Sequence, residues 1–269
     1  MIINHNLSAM NAHRQMGINT GAQGKAIEKL SSGQRINRAG DDAAGLAISE
    51  KMRSQIRGLN QGSTNAQDGI SMVQTAEGAL TETHSMLQRL KTLATQASNG
   101  TYGNSDRALI QKEVSQLTTE ITRIASQTEF NGKVVLNSTS TVDFQVGNKS
   151  GQKISVTLAK MDAKSLGVSG LSLSTQTNAV SALKKIEDAI ATVSKHRATF
   201  GAVQNRLEHT ITSTDNTSEN LSAAESRIRD TDMAKEMMEY TKNKVLTQAS
   251  QSMLAQANQA PNNVLSLLQ

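Results

Sequence analysis

The chain of 269 residues contains no cysteine and no tryptophan, and it has a single proline, Pro261. Without cysteine, a disulfide, a thiolate metal site and thiol chemistry are all excluded. Only three Phe and two Tyr are present. Large cores normally draw much of their buried area from aromatic side chains, so an ordinary two-domain enzyme is disfavoured. Because proline is disfavoured inside helices, the long proline-free stretch permits very long helices.

Targeting signals are also missing from the sequence. The segment from Met1 to Ser8 has neither a basic region nor an apolar stretch, so we expect no cleaved secretory signal peptide. No apolar run approaches the roughly 18 residues of a membrane span, so we expect no membrane insertion. Residues 1–60 carry eight Lys/Arg and four Asp/Glu, which gives +4 of the net +5. This basic region has no aromatics for base stacking, and we therefore expect no nucleic-acid binding.

Residues 43–99 contain apolar and small side chains whose spacing alternates between three and four positions. A sustained average of 3.5 is typical of a coiled-coil seam, and the short step between Val73 and Ala76 resembles a stammer. At 1.5 Å per residue, such a helix would span about 85 Å. The seam consists of Met52, Ile56, Leu59, Ser63, Ala66, Ile70, Val73, Ala76, Leu80, Thr83, Leu87, Leu90, Ala94 and Ala97.

The remainder of the chain is mostly helical in pattern and contains one β signal. A turn-rich break at 98–105 precedes a second periodic stretch over 109–124, which predicts an antiparallel helix pair. Within 133–175, two segments alternate apolar and polar residues on either side of a glycine-containing loop, which predicts a hairpin. Helical spacing returns from Asn178. Ser222 begins a capping-box pattern, so either a new helix starts there or the helix runs through.

The terminal segments, 1–40 and 230–269, have a weaker helical periodicity of apolar residues and few large apolar side chains. We expect the C-terminal helix to be closed by Pro261. Segments with little apolar area do not easily offset the entropy of ordering, so the ends are predicted to be disordered alone and to fold on association. The C-terminal pattern comprises Met233, Met237, Tyr240, Leu246, Ala249, Met253 and Leu254.

No catalytic or metal-binding constellation is present, and no cofactor is expected. The five His residues form no H-E-x-x-H motif, and Asn19 stands where a phosphate loop ending at Gly24 and Lys25 would need glycine. There is no G-x-S-x-G nucleophile elbow. We therefore predict that the protein is not an enzyme. The residues alone leave open a self-assembling structural protein, a coiled-coil adaptor or a nucleic-acid organiser.

Several long stretches of the sequence carry a resemblance to a known family. They are the stretches 3–10, 29–48, 75–80, 129–132, 201–208, 224–230 and 252–258. These stretches closely resemble bacterial flagellin. The similarity covers about 1–136 and 178–269, and only about forty residues separate the two parts. The resemblance therefore implies a short form that lacks the outer variable domains of many flagellins.

The resemblance implies a mainly α fold, in which a long antiparallel helical bundle or coiled coil carries a small β-hairpin region. The terminal helices, 1–40 and 230–269, would pair as a coiled-coil domain of the filament core. Residues 41–229 would form the helical-bundle core domain, with the hairpin region at about 133–175. The function would be that of a structural subunit that self-assembles helically into the flagellar filament for motility.

The resemblance also implies partners and a location. The subunit would leave the cell through flagellum-specific type III export and become extracellular in the flagellum. Its partners would be other copies of itself, an export chaperone, and the filament cap and junction proteins. A flagellar hook–filament junction protein shares such ends and remains an alternative, as does a basic coiled-coil protein that organises nucleic acid.

Two groups of candidate site residues follow. The subunit-packing candidates are the charged residues near the junction between end segment and bundle, for which a solvated charged turn is the alternative, together with two apolar residues of the tail. They are Arg35, Arg38, Asp41, Asp42, Met253 and Leu254. By resemblance, Arg89, Leu93 and Glu113 match positions recognised by the flagellin-sensing Toll-like receptor of animals. Residues 28–49 are similar to a peptide sensed by a plant receptor kinase.

Overall fold

The computed structural model describes the backbone of residues 6–265 and the side chains of residues 6–259. Within this range five α-helices and four short strands follow one another, which confirms the predicted mainly α fold with a small hairpin region. In chain order the elements are α1 (Leu7–Ser32), α2 (Ala43–Ser98), α3 (Asn104–Gln127), β1 (Glu129–Phe130), β2 (Lys133–Val134), β3 (Thr141–Gln145), β4 (Lys153–Thr157), α4 (Gln176–Arg229) and α5 (Met233–Leu265).

The long helices and the hairpin lie where the spacing predicted them. Helix α2 has 56 residues and α4 has 54, and α4 runs straight through Ser222. Strands β3 and β4 pair antiparallel, with Val142 opposite Val156 and Phe144 opposite Ile154. The small antiparallel pair β1–β2 was not predicted, because two-residue strands are too short to show an alternating pattern.

The chain divides into two compact units, which are described separately. One, here called the terminal unit, draws on residues 1–56 and 219–269, and the other, the central unit, comprises Arg57–Ser218. The sequence places the division near 40 and 230 instead, and that boundary remains a prediction.

In the central unit, the seam predicted for α2 is the buried face of the helix. Leu80, Leu87 and Leu90 have no exposed surface, and they belong to one core cluster with residues of the other helices and of the hairpin. Two ion pairs, Lys91–Glu187 and Glu77–Arg197, join α2 to α4 at the surface. Since the higher number on α2 pairs with the lower on α4, the two helices are antiparallel here.

The hairpin reaches α2 at a row of glycines. A Cβ atom at Gly62 would lie 2.6 Å from the carbonyl oxygen of Val146, and one at Gly69 would lie 3.1 Å from the ring of Phe144. A Cβ atom at Gly58 would likewise come too close to the hairpin loop. Glycine costs helix stability but permits close approach of a second backbone, so these positions dock the hairpin on the helix.

A buried arginine caps the C-terminal end of α2. Arg107 lies in α3 and is only 7% exposed. Its Nε donates to the Ala97 carbonyl at 2.9 Å, its Nη2 donates to the Asn99 carbonyl at 3.1 Å, and its Nη1 donates to Asn104 Oδ1 at 3.3 Å. The cation thus satisfies carbonyls that the ending helix leaves free and neutralises the negative end of its dipole.

The terminal unit contains α1 and α5, which pair with each other as the resemblance predicted, and the two helices run antiparallel. The contacts along the pair are Asn6 Nδ2 to the Ala257 carbonyl at 2.7 Å, Asn19 Nδ2 to Ser250 Oγ at 3.4 Å, and Lys29 Nζ to Glu236 Oε1 at 3.7 Å. The prediction that Pro261 closes the last helix is wrong, because α5 continues to Leu265. Position 261 lacks an N–H for the Ala257 carbonyl, and the Asn6 amide serves that carbonyl instead.

Candidate assembly surface

The seam between α1 and α5 is built mostly from small and polar side chains. In each helix, partly or fully buried residues recur at alternating steps of three and four, which is the spacing of a coiled coil. On α1 they are Ala9, Ala12, Met16, Asn19, Gln23, Ala26 and Leu30, and on α5 they are Glu236, Tyr240, Asn243, Thr247, Ser250, Leu254 and Ala257. The seam therefore buries little of the apolar area that normally stabilises such a pair.

Two asparagines are the polar centre of this seam. Asn19 is 5% exposed and Asn243 is 6% exposed. Nδ2 of Asn243 has no hydrogen-bond partner among the described residues. Buried polar groups at seam positions reduce stability and restrict register, so this pair is specified more by polar matching than by burial.

Most of the larger apolar side chains of the same two helices lie on the surface. Met238 is 68% exposed, Leu7 is 67% exposed and Met10 is 62% exposed. Together these exposed side chains are here called the outward face. Its members are Leu7, Met10, Ile18 and Ile27 on α1, and Met233, Met237, Met238, Val245, Leu246 and Met253 on α5.

On α5 the outward face forms a shallow apolar groove. Its walls are Met237, Met238, Thr241, Lys242, Val245 and Leu246, all on one helix. An apolar groove on an exposed helix surface is a candidate interaction site. In α1 and α5, most seam residues are thus small or polar, and most of the larger apolar residues lie outside the seam.

Arg35 and Arg38 lie in the loop that follows α1 in the terminal unit. Arg35 donates from its backbone N–H to the Arg229 carbonyl at 2.7 Å and from Nη2 to the Ile228 carbonyl at 2.5 Å. Arg38 Nε pairs with Glu28 Oε1 at 2.8 Å on the surface. Both arginines thus engage their own chain, and Arg35 ties the loop to the end of α4.

The adjacent acids, Asp41 and Asp42, have separate roles before α2. Asp41 Oδ2 accepts hydrogen bonds from the backbone N–H groups of Arg38 and Asn37, and these bonds lower the pKa of its carboxyl. Asp42 Oδ1 accepts from the Gly45 N–H at 2.8 Å, which caps the start of α2. Among the described residues, the four charged packing candidates form no ion pair with one another.

Sequence reasoning missed a group of ion pairs beside this loop. Arg229 Nη1 lies 2.7 Å from Glu50 Oε1, and Arg53 Nε lies 2.9 Å from Glu225 Oε1. The partners are more than 170 residues apart in sequence, so no local pattern indicates them. They hold the end of α4 to the start of α2 inside the terminal unit.

The two tail candidates lie on different sides of α5. Met253 is 60% exposed and belongs to the outward face. Leu254 is half-buried and lies in the seam repeat between Ser250 and Ala257, both of which contact α1. Only Met253 is therefore available to another molecule.

The candidate receptor residues lie in the central unit. Arg89 Nε pairs with Glu113 Oε1 at 2.8 Å, and both side chains are about half exposed. The hydrogen bond to the Glu113 carboxylate raises the pKa of Arg89 above its usual value. Leu93 is only 2% exposed and packs in the core, so it lies beneath the surface that carries the pair.

The described part of the chain contains neither a metal-binding cluster nor a membrane span. Among the side chains of residues 6–259, no group of three or more His, Asp or Glu could hold a metal ion. Among the helices of residues 6–265, none is long and apolar enough to cross a membrane.

Long helices, with a terminal pair that exposes most of its larger apolar side chains, are typical of helical structural subunits. Residues 3–141 match the family model for the bacterial flagellin N-terminal helical region, and residues 183–268 match that for the C-terminal helical region. The chain belongs to the bacterial flagellin family.

Flagellins from other bacteria are similar to this chain over its full length. Flagellin from Halalkalibacterium halodurans is 59% identical and flagellin from Bacillus subtilis is 52% identical, each with all of both chains covered. The crystal structure of Bacillus cereus flagellin is 34% identical with a TM-score of 0.51, over 60% of this chain and 94% of that one. A putative flagellar hook-associated protein from Vibrio parahaemolyticus, at 12% identity and a TM-score of 0.59, shares the fold alone.

The family establishes the function at a general level. The chain is a structural subunit of the bacterial flagellar filament, as the sequence resemblance predicted, and it is of the short form. The comparisons lend no support to the alternatives of a hook–filament junction protein or a nucleic-acid organiser.

Proposed function

We propose that this chain polymerises through the outward face of its terminal unit. The observation that carries the proposal is the polarity of α1 and α5, because most of their larger apolar side chains are exposed while their seam is mostly small and polar. Burying such side chains between copies contributes roughly 25 cal/mol per Å² of apolar area. Repeated contacts of one non-closing kind then generate a helical filament.

A matched pair of variants at Met238 tests this proposal. Met238→Lys places a charge at the most exposed position of the face and should abolish polymerisation, whereas Met238→Leu keeps the apolar surface and should polymerise normally. Sedimentation at high speed and negative-stain images measure the result, with circular dichroism as the check on helix content. Long filaments from folded Met238→Lys protein would contradict the proposal.

The charged loop before α2 supports a second element of the same proposal. We assign Arg35, Arg38, Asp41 and Asp42 a supporting part in packing, because they fix the loop that leaves α1. Arg35→Glu removes the side-chain bond to the Ile228 carbonyl and should lower the temperature and salt at which filaments dissociate. Arg38→Glu, whose partner Glu28 lies on the surface, is the control and should change filament stability less. Equal behaviour of the two variants would favour a solvated charged turn.

We further propose that exposed monomers are recognised by the flagellin-sensing Toll-like receptor of animals at Arg89 and Glu113. The supporting observation is that this ion pair is half exposed on the central unit. Leu93 is buried in the core and would contribute indirectly, by packing the helix that carries Arg89. A cell reporter assay should show reduced activation by Arg89→Ala. The control is Arg123→Ala, which removes another exposed pair, with Glu120, from α3. Equal activation by both variants would remove the support.

The remaining partners are proposed from family resemblance. An export chaperone, the cap and the junction proteins would bind this chain, which would leave through type III export without a cleaved signal peptide and function outside the cell. Residues 28–49 would be the segment sensed by a plant receptor kinase. N-terminal sequencing of protein recovered from the medium tests the export proposal, because an end inside the printed sequence would show that a leader had been removed.

A further inference from the structure

Methionine dominates the oxidation chemistry of this chain. The sequence has eleven methionines, no cysteine and no tryptophan. A peroxide oxidises thiols and thioethers before most other side chains, so its principal targets here are the methionine sulfur atoms.

The exposed methionines are concentrated in the terminal unit. Among the residues whose side chains the structure describes, the five methionines with large exposed area are Met10, Met233, Met237, Met238 and Met253, and all five lie on the outward face. In the central unit, by contrast, Met72 is 3% exposed and Met161 is 2% exposed. One chain therefore contains both accessible thioethers and buried ones that serve as internal references.

Two of the accessible methionines are neighbours on the apolar groove of α5. Met237 is 49% exposed and Met238 is 68% exposed, and both line the groove beside Val245 and Leu246. Oxidation changes a flexible apolar side chain into a polar one with a strong hydrogen-bond acceptor. Such an acceptor has no donor in an apolar contact, so the oxidised groove is a poor surface to bury.

We propose that Met237 and Met238 form a modification site at which a peroxide switches the subunit from an assembly-competent to an assembly-incompetent form. The sulfur attacks one peroxide oxygen, the O–O bond breaks and an S=O bond forms. The second oxygen of hydrogen peroxide leaves as water, so the sulfur loses two electrons and the peroxide gains them. The proposal rests on the assembly function of the outward face proposed above.

Assembly would protect the site. Copies that bury the outward face remove Met237 and Met238 from solvent, so the peroxide acts on free subunits and spares formed filaments. Methionine sulfoxide is returned to methionine by the two classes of sulfoxide reductase, one for each sulfoxide epimer, which makes the switch reversible.

The experiment uses the full chain and hydrogen peroxide. Peptide mass spectrometry of treated monomer should show Met237 and Met238 oxidised at least about tenfold faster than Met72 and Met161. Treated protein should need about tenfold more protein to form sedimentable filaments, and treatment with both reductases should restore assembly. The double variant Met237→Leu/Met238→Leu should polymerise equally well before and after peroxide.

The outcomes separate this inference from the function on which it rests. Equal oxidation rates at exposed and buried methionines, or normal assembly of oxidised protein, would overturn the switch while leaving assembly through the outward face intact. Loss of assembly in the peroxide-treated double variant would place the effect at other methionines and overturn the assignment. Failure of the assembly proposal itself is detected without any oxidant, by filaments of Met238→Lys.

Discussion

Asn6 supplies the hydrogen bond that Pro261 withholds from Ala257. In an α-helix, the N–H of residue 261 would donate to the carbonyl of residue 257, and proline has no such N–H. Asn6 Nδ2 donates to that carbonyl at 2.7 Å, while its Oδ1 accepts from the Ala9 N–H at 3.1 Å. One amide thus caps α1 and bonds to α5 at the place where the proline leaves a free acceptor.

This double role predicts a selective effect of Asn6→Asp. A carboxylate keeps the cap on α1 but has no N–H for the Ala257 carbonyl, so the α5 end should lose about 1 kcal/mol of local stability. Hydrogen exchange measures this, with faster exchange expected near Ala257 and unchanged protection near Ala9. Asn6→Ala, which loses both bonds, is the control and should increase exchange at both places. Unchanged exchange near Ala257 in the Asp variant would contradict the relationship.

Arg107→Met should destabilise the central unit by about 2–3 kcal/mol. The variant keeps an apolar stem of similar length but leaves the carbonyls of Ala97 and Asn99 without their charged donor. Urea unfolding monitored by circular dichroism gives the difference in free energy. The matched change Arg123→Met on α3 removes an exposed arginine and should cost less than about 1 kcal/mol. Equal losses would show that Arg107 contributes nothing as a cap.

Two glycine-to-alanine changes on α2 should have opposite signs. At Gly62 a Cβ would lie 2.6 Å from the Val146 carbonyl oxygen, so the hairpin must shift and the variant should lose at least about 1 kcal/mol. At Gly78 nothing lies within 4 Å, so alanine should stabilise the helix by up to about 1 kcal/mol. Urea unfolding of both variants is the measurement. A stabilised Gly62→Ala would refute the close docking of the hairpin.

The Asp41 carboxyl should titrate below 3.8, the ordinary pKa of an aspartate. Its pKa is lowered by hydrogen bonds from the backbone N–H groups of Arg38 and Asn37. A lowered folded-state pKa means that the stabilisation is present above the unfolded pKa and is lost as pH falls through the folded pKa. NMR titration of the Asp41 carboxyl gives the midpoint. A midpoint at or above 3.8 for Asp41 would contradict the backbone bonds.

The sequence predicted the long helices well because their signal is local and repeated. The alternation of three and four over residues 43–99 predicted α2 to within one residue of its end, and Leu80, Leu87 and Leu90 are buried as the seam requires. The residues that fix the helix ends escaped prediction. Arg107 and Asn6 are ordinary polar residues in sequence, and only their distance to particular carbonyls reveals their roles.

In the terminal helices, hydrophobic periodicity did not identify which residues form the seam between α1 and α5. The apolar pattern of the C-terminal segment includes Met233, Met237 and Met253, which all lie on the outward face and not in the seam with α1. The seam itself, which includes Asn243 and Ser250, shows only a weak hydrophobic stripe because most of its residues are small or polar. A pattern of hydrophobicity identifies a face that needs covering, but it does not identify the molecule that covers it.

By itself, the sequence determined that this protein is built from long helices with one hairpin, and that it carries the flagellin pattern. Helix period, turn residues and the absence of proline before position 261 are local properties, and they suffice for that. Only the tertiary structure decided that α1 and α5 pair along a mostly small and polar seam and expose most of their larger apolar residues. That choice depends on which backbones approach closely enough to exchange hydrogen bonds, as between Asn6 and Ala257, and such approach is a property of the folded chain.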